Sequence, residues 1–148
     1  MSEHKIRISS KGFFFNSRDE LVLIVSNKVI EGLKSYYSAP GGGVEENEDL
    51  RSAVERELRE ETGYFGVAEN VVFVQDFLNL GGGRQLEVFF VGQIDESKAK
   101  LDHHDHDFKL FSESEFAEIS FLPKIDPFAL RRKEQVDYQT YLKPKNKI

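Results

Sequence analysis

Glu57, Glu60 and Glu61 stand at i, i+3 and i+4, a spacing that stacks three carboxylates on one face of a helix. At ~100° per residue, Leu50 and Val54 point in nearly the same direction as Glu57 and Glu61, with Ala53 and Leu58 beside them. The acids therefore continue an apolar stripe. An amphipathic helix usually turns that stripe inward and its charges outward, whereas here the inward face changes from apolar to anionic within two turns. Carboxylates so close repel one another and resist desolvation, so a cation must neutralise them. A hard divalent ion such as Mg²⁺ or Mn²⁺ takes oxygen ligands and can bridge carboxylates to phosphates. Arg56 is a second source of positive charge, within reach of Glu60 four residues on or of Glu48 at the helix start.

The plain alternative is a solvated acidic helix end. The turn ahead of the helix argues against it: Pro40, Gly41, Gly42 and Gly43 let the backbone approach a metal or phosphate closely, and Asn47 can cap a helix that begins near Glu48.

With those residues in view, the segment resembles the Nudix box, GX5EX7REUXEEXGU, where U is a bulky apolar residue. Gly42 opens the pattern and Glu48 follows. Then come Arg56, Glu57 and Leu58, and Glu60, Glu61, Gly63 and Tyr64 close it. Tyr64 is aromatic where the family usually has an aliphatic residue, and Asn47 stands where many members have glycine. Neither departure removes a candidate ligand. What the resemblance implies is a metal-dependent hydrolase that cleaves the pyrophosphate bond of a nucleoside diphosphate linked to another group, by attack of water on phosphorus. It also implies an α/β fold, the Nudix-like α/β/α sandwich with a mixed β-sheet between helices.

The resemblance further implies roles at matching positions. Glu57, Glu60 and Glu61 would hold Mg²⁺ or Mn²⁺, helped by the backbone carbonyl of Gly41 or Gly42. Arg56 would orient the acids, and Glu48 would fix the loop and helix start. The general base is open, since family members draw it from different places. The loop of Asp102, His103, His104, Asp105, His106 and Asp107 is one source, with His104 or Asp105 favoured and simple hydration as the alternative. Glu87 is another: in a strand it alternates with Leu86 and Val88, so it faces either the site or water.

Length, composition and charge set outer limits. The chain of 148 residues is near the commonest domain size and is expected to form a single domain over residues 1–148 around a core rich in its thirteen phenylalanines. A net charge of −6 argues against a nucleic-acid surface. The absence of cysteine removes disulfide frameworks and thiolate zinc sites and suits a reducing compartment. No run approaches the ~20 apolar residues of a membrane span, and the amino terminus lacks an apolar signal core, so a cytoplasmic protein is expected. A homodimer is compatible with the chain, but oligomeric state is not legible in it.

Periodicity and punctuation place the remaining elements. Lys5 to Phe15 and Leu21 to Ser26 read as a hairpin, Tyr36 to Ala39 as a short extended piece, and the helix runs from about Glu48 to Glu61, stopped by Gly63. Val71 to Leu80 and Arg84 to Gln93 flank Gly81, Gly82 and Gly83 as a second hairpin. Phe108 to Phe111 reads as a last strand. Ser112 with Glu115 forms a capping box, and Asp126 with Pro127 starts another helix. The tail from about Tyr138 is expected to be loosely held. For the substrate, Tyr36, Tyr37 and Arg84 are the candidate contacts, while Phe13, Phe14, Phe15 and Phe77 read either as pocket walls or as core. A small-molecule nucleotide is the expected partner, and a non-catalytic Nudix-like nucleotide-binding or sensing module is the competing function.

Overall fold

The computed structural model describes residues 5–26, 36–79, 82–102, 104–133 and 135–143. His103, Leu80 and Gly81 lie outside the described residues.

Strand β1 (Ile6–Phe15) is the axis of the molecule. It runs antiparallel to β2 (Leu21–Ser26) and to β4 (Gly41–Gly43), and parallel to β6 (Arg84–Asp95). β6 pairs antiparallel with β5 (Phe65–Asn79), and β2 carries β3 (Tyr36–Ser38) and β7 (Phe108–Phe111). Among the described residues the result is a mixed eight-stranded sheet in the order β3-β2-β1-β6-β5-β8, where β8 is Asp137–Lys143, with β4 and β7 attached beside that path.

Alternation along the strands gives the sheet two apolar faces. On one, Phe14, Val22, Val88 and Phe90 receive Val54 and Leu58 of α1 (Leu50–Thr62). On the other, Phe13, Phe15, Phe73 and Phe89 pack with Phe121, Phe128 and Leu130, the last two from α3 (Pro127–Arg131), and with Phe116 of α2 (Glu113–Phe116). Helices thus cover both faces of a mixed sheet, as the α/β/α sandwich requires. Phe13, Phe14 and Phe15 are fully buried, so the pocket-wall reading of these three gives way to core.

Three local expectations change. Asp49, not Asn47, caps α1, its carboxylate accepting the Ser52 N–H at 2.7 Å. Asn47 instead takes the left-handed conformation at φ 65°, which a short polar side chain tolerates and glycine favours. Gly41–Gly43 is a short strand on β1 rather than only a turn. Of the tail expected to be loose, residues 138–143 belong to β8 (Asp137–Lys143), parallel to β5, where pairing with a long neighbour holds a polar sequence, and residues 144–148 lie outside the described residues. The expected features at the other helix starts are present: Ser112 and Glu115 form the reciprocal capping box, and Asp126 caps α3 ahead of Pro127.

Candidate functional site

α1 presents its acids at graded depth. Glu61 is buried, at 8% exposure, Glu57 is half-buried, and Glu60 faces outward. Helical geometry fixes this order: Glu61 continues the turn of Val54 and Leu58 against the sheet, while Glu60 lies one residue toward solvent. The Glu61 carboxylate accepts the Gly41 N–H at 2.8 Å. Burial pushes its pKa up to about 7; Glu57 and Glu60 add to the rise, while the Gly41 N–H and the charge of Lys11 oppose it.

Arg56 ties the cluster together. Its Nε and one terminal nitrogen grip both oxygens of Glu48 at 2.7 and 3.0 Å, and its other nitrogen reaches Glu57 and Glu60, each at 3.2 Å. The Gly43 carbonyl accepts from the same guanidinium at 3.4 Å. These contacts, and the Glu45 N–H, hold the Glu48 carboxyl down at about 2, while the carboxylates raise Arg56 above its ordinary value. A Cβ at Gly42 would stand 2.9 Å from Glu57 Oε1, so a larger residue there would push that carboxylate aside.

The loop between η1, a single 3-10 turn (Glu96–Lys98), and β7 folds against the C-terminal end of α1. The Asp105 and His106 N–H groups donate to the carbonyls of Glu60 and Glu61 at 3.0 and 3.2 Å. That contact sets where His104, Asp105 and His106 stand relative to the acids. Among the described residues of the loop, the His106 ring stands nearest the acids, its Nδ1 4.0 Å from Glu61 Oε2. His104 turns to the His106 carbonyl at 2.7 Å and sets its ring edge on Phe108. Asp105 is exposed and reaches α1 through its backbone.

A cleft of about 580 Å³ opens on the sheet face opposite α1. Tyr36, Phe77, Glu87, Gln75, Tyr141 and Lys11 are among its walls. Tyr37 is not: its ring packs edge-on to Phe111 at 4.9 Å, in the core. Arg84 also lies elsewhere, pairing with Asp76 at 3.3 Å on the other sheet face, because residues 84 and 76 alternate away from Gln85, Glu87, Gln75 and Phe77. Lys11 is the link between cleft and acids. It lines the cleft, pairs in register with Gly41, and contributes the favourable charge felt by Glu61. Lys11 is not among the residues expected from the motif, although a lone cation between Ser10 and Gly12 in an otherwise apolar strand end is a usable signal. Gln75 and Tyr141 carried no such signal.

The NUDIX domain model matches residues 6–141. The chain belongs to the NUDIX family. Comparison with curated proteins yields no match. Among solved structures, the MutT protein of Methanosarcina mazei Go1 is similar at 23% identity and a TM-score of 0.63, over 89% of this chain and 95% of that one. An ADP-ribose pyrophosphatase from Streptococcus suis 89-1591 aligns at 16% identity and 0.64, over 91% and 98%. A UDP-X diphosphatase aligns at 14% and 0.66, over 97% of this chain and 70% of the other. At these identities the likeness is one of fold. The NUDIX assignment makes the chain a hydrolase that acts on pyrophosphate bonds.

The NUDIX helix offers a divalent ion an all-oxygen donor set. Among the described residues no three acids or histidines are drawn into a ready-made cage. The reason is local: Arg56 holds oxygens of Glu57 and Glu60, and Glu61 turns toward Gly41. Mg²⁺ keeps several waters and needs only a few protein oxygens, so spread carboxylates suit it. The buried Glu61, whose ionised form is penalised, and the space kept beside Glu57 by Gly42 both fit such an ion.

Proposed function

We propose that the chain is a metal-dependent NUDIX pyrophosphohydrolase acting on a nucleoside diphosphate linked to another group, with Glu57, Glu60 and Glu61 as ligands of Mg²⁺ or Mn²⁺ and the Gly41 or Gly42 carbonyl as a further donor. The observation that carries this reading is the buried, cation-seeking Glu61 beside a guanidinium-braced set of acids. When bound, the ion neutralises phosphate oxygens and lowers the pKa of an attacking water. Arg56 and Glu48 hold the helix start and the acids in place so that little reorganisation is needed when charge builds on phosphorus. Lys11, at the seam between cleft and acids, would meet the phosphate chain, and the cleft would take the part of the substrate that does not react. Water adds to one phosphorus, the bridging P–O bond breaks, and two phosphate products leave.

Substrates named for similar structures, ADP-ribose and UDP-linked compounds, belong to the range we assign to this chain. A cysteine-free composition also suits our placement of the protein in the cytoplasm. Among the described residues no helix is long and apolar enough to cross a membrane.

The test is turnover with Mg²⁺ across nucleoside triphosphates, nucleotide sugars, dinucleoside polyphosphates and ADP-ribose. We expect release of a nucleoside monophosphate from at least one of them, abolished by Glu61→Gln in a variant that still melts cooperatively. No metal-dependent turnover across the panel would replace this reading with the nucleotide-binding module.

A further inference from the structure

Glu87 is a carboxylate in the wall of the cleft whose partners, among the described residues, are two neutral amides and no cation. Gln75 Nε2 donates to its Oε1 at 2.9 Å and Gln85 Nε2 to its Oε2 at 3.3 Å. Those bonds point the carboxylate and leave lone pairs on both oxygens, since each carboxylate oxygen can accept more than one donor. They also fix the amide of Gln75. A carboxylate accepts only, so the Gln75 nitrogen must face it and the Gln75 oxygen must face away. Among the described residues that buried oxygen has no hydrogen-bond partner, in a residue 2% exposed. Glu87 is only partly buried and opens on the cleft, so its free lone pairs leave an acceptor-rich spot in the wall beside the enclosed Gln75 amide.

Around this pair the cleft is apolar and aromatic. Phe77 and Tyr141 stack with ring centroids 5.0 Å apart and 17° between planes, and Phe89 and Tyr36 add further ring surface. Flat apolar walls favour a flat heterocycle. An acceptor-rich polar group in those walls favours a heterocycle edge that donates. Carbonyl edges would set oxygen against oxygen.

The geometry points to Glu87, clamped by Gln75, as the residue that selects a nucleobase bearing an exocyclic amino group. The amino N–H donates to the Glu87 carboxylate while the ring lies along the aromatic wall, and Lys11 meets the phosphates where the cleft approaches the acids. Glu87 then serves recognition rather than proton transfer. Its place on the sheet face away from α1 agrees with that role. This inference rests on the hydrolase reading for the identity of its ligand as a nucleotide, but its test does not need bond cleavage.

Binding of nucleoside 5′-monophosphates is measured by calorimetry in pairs that differ at one amino group: adenosine against purine riboside, guanosine against inosine. The amino member should bind about tenfold more tightly to the wild-type protein, the range lost when a charged group's hydrogen bond goes unmade. Glu87→Gln, which keeps the shape, should bring each pair to near equality while melting as the wild type does. Gln75→Met should reduce the preference by freeing the carboxylate. In turnover of the corresponding diphosphate derivatives, Glu87→Gln should change KM ratios and leave kcat within about twofold. Equal affinity within each pair for the wild type, no binding by any monophosphate, a preference that survives Glu87→Gln, or loss of kcat for every base would overturn the assignment. Amino-dependent binding without any turnover would sustain it and overturn only the hydrolase reading.

Discussion

Glu61 is held in a position that its own charge disfavours. Its carboxyl rises from 4.5 to about 7 on burial, so the ionised form is penalised in the folded state. The sign follows: folded and unfolded chains are both protonated at Glu61 below about 4.5, and the cost grows as pH rises toward 7 and is complete above it. Across that span the penalty is on the order of 3 kcal/mol. Glu61→Gln keeps an oxygen for the Gly41 N–H and removes the charge. In metal-free buffer we expect the variant to melt several degrees above the wild type at pH 8 and alongside it near pH 4.5, while with Mg²⁺ present it loses turnover. A wild type as stable as the variant at pH 8 without metal would contradict this. The spacing of Glu57, Glu60 and Glu61 made the cluster legible in the sequence because helical periodicity is local. Their unequal depth was not, since that depends on how α1 rolls against Phe14, Val22 and Phe90.

At the scale of elements, capping decides where α1 begins. Asp49 and Asn47 are both good cap residues, and the choice between them falls to the backbone: Asn47 is spent on the left-handed turn, and Asp49 is extended at the first free N–H groups. The Ser52 N–H depresses the Asp49 carboxyl below its ordinary 3.8. A depressed acid stabilises the fold above its unfolded pKa and loses that contribution as pH falls through its folded one. Asp49→Ala should therefore lower the melting midpoint by a few degrees at pH 7, and the gap should close in strong acid. A gap independent of pH would mean that the charge plays no part. The same contest between local options governs the loop between η1 and β7. Three histidines in the run from Asp102 to Asp107 look alike in sequence, and only the bonds from Asp105 and His106 to the end of α1 bring one of the described rings to Glu61.

Over the whole molecule, the cleft is assembled from β1, β3, β5, β6, β8 and the segment 122–124, so no window of sequence contains it. Hairpins and helix starts could be read because their determinants lie within a few residues. Tyr141 could not, because β8 is ordered by β5, as in the Tyr138 hydroxyl that donates to Asp76 across 62 positions. Removing the ring tests the long-range assembly. Tyr141→Ala should raise KM about tenfold with kcat nearly unchanged, because the ring stacks on Phe77 far in sequence from the acids. An equal fall in kcat would show that the cleft and the acids are not separable.

Adjacent residues of β1 serve opposite faces of the sheet. Ser10 sends its hydroxyl to the Leu50 carbonyl at the start of α1, and Lys11 turns to the cleft. The sheet is therefore a partition one residue thick. A lineage can exchange the residues on one side of it and acquire new substrates while inheriting the bond-breaking side intact, and the two halves can drift at different rates without repacking each other.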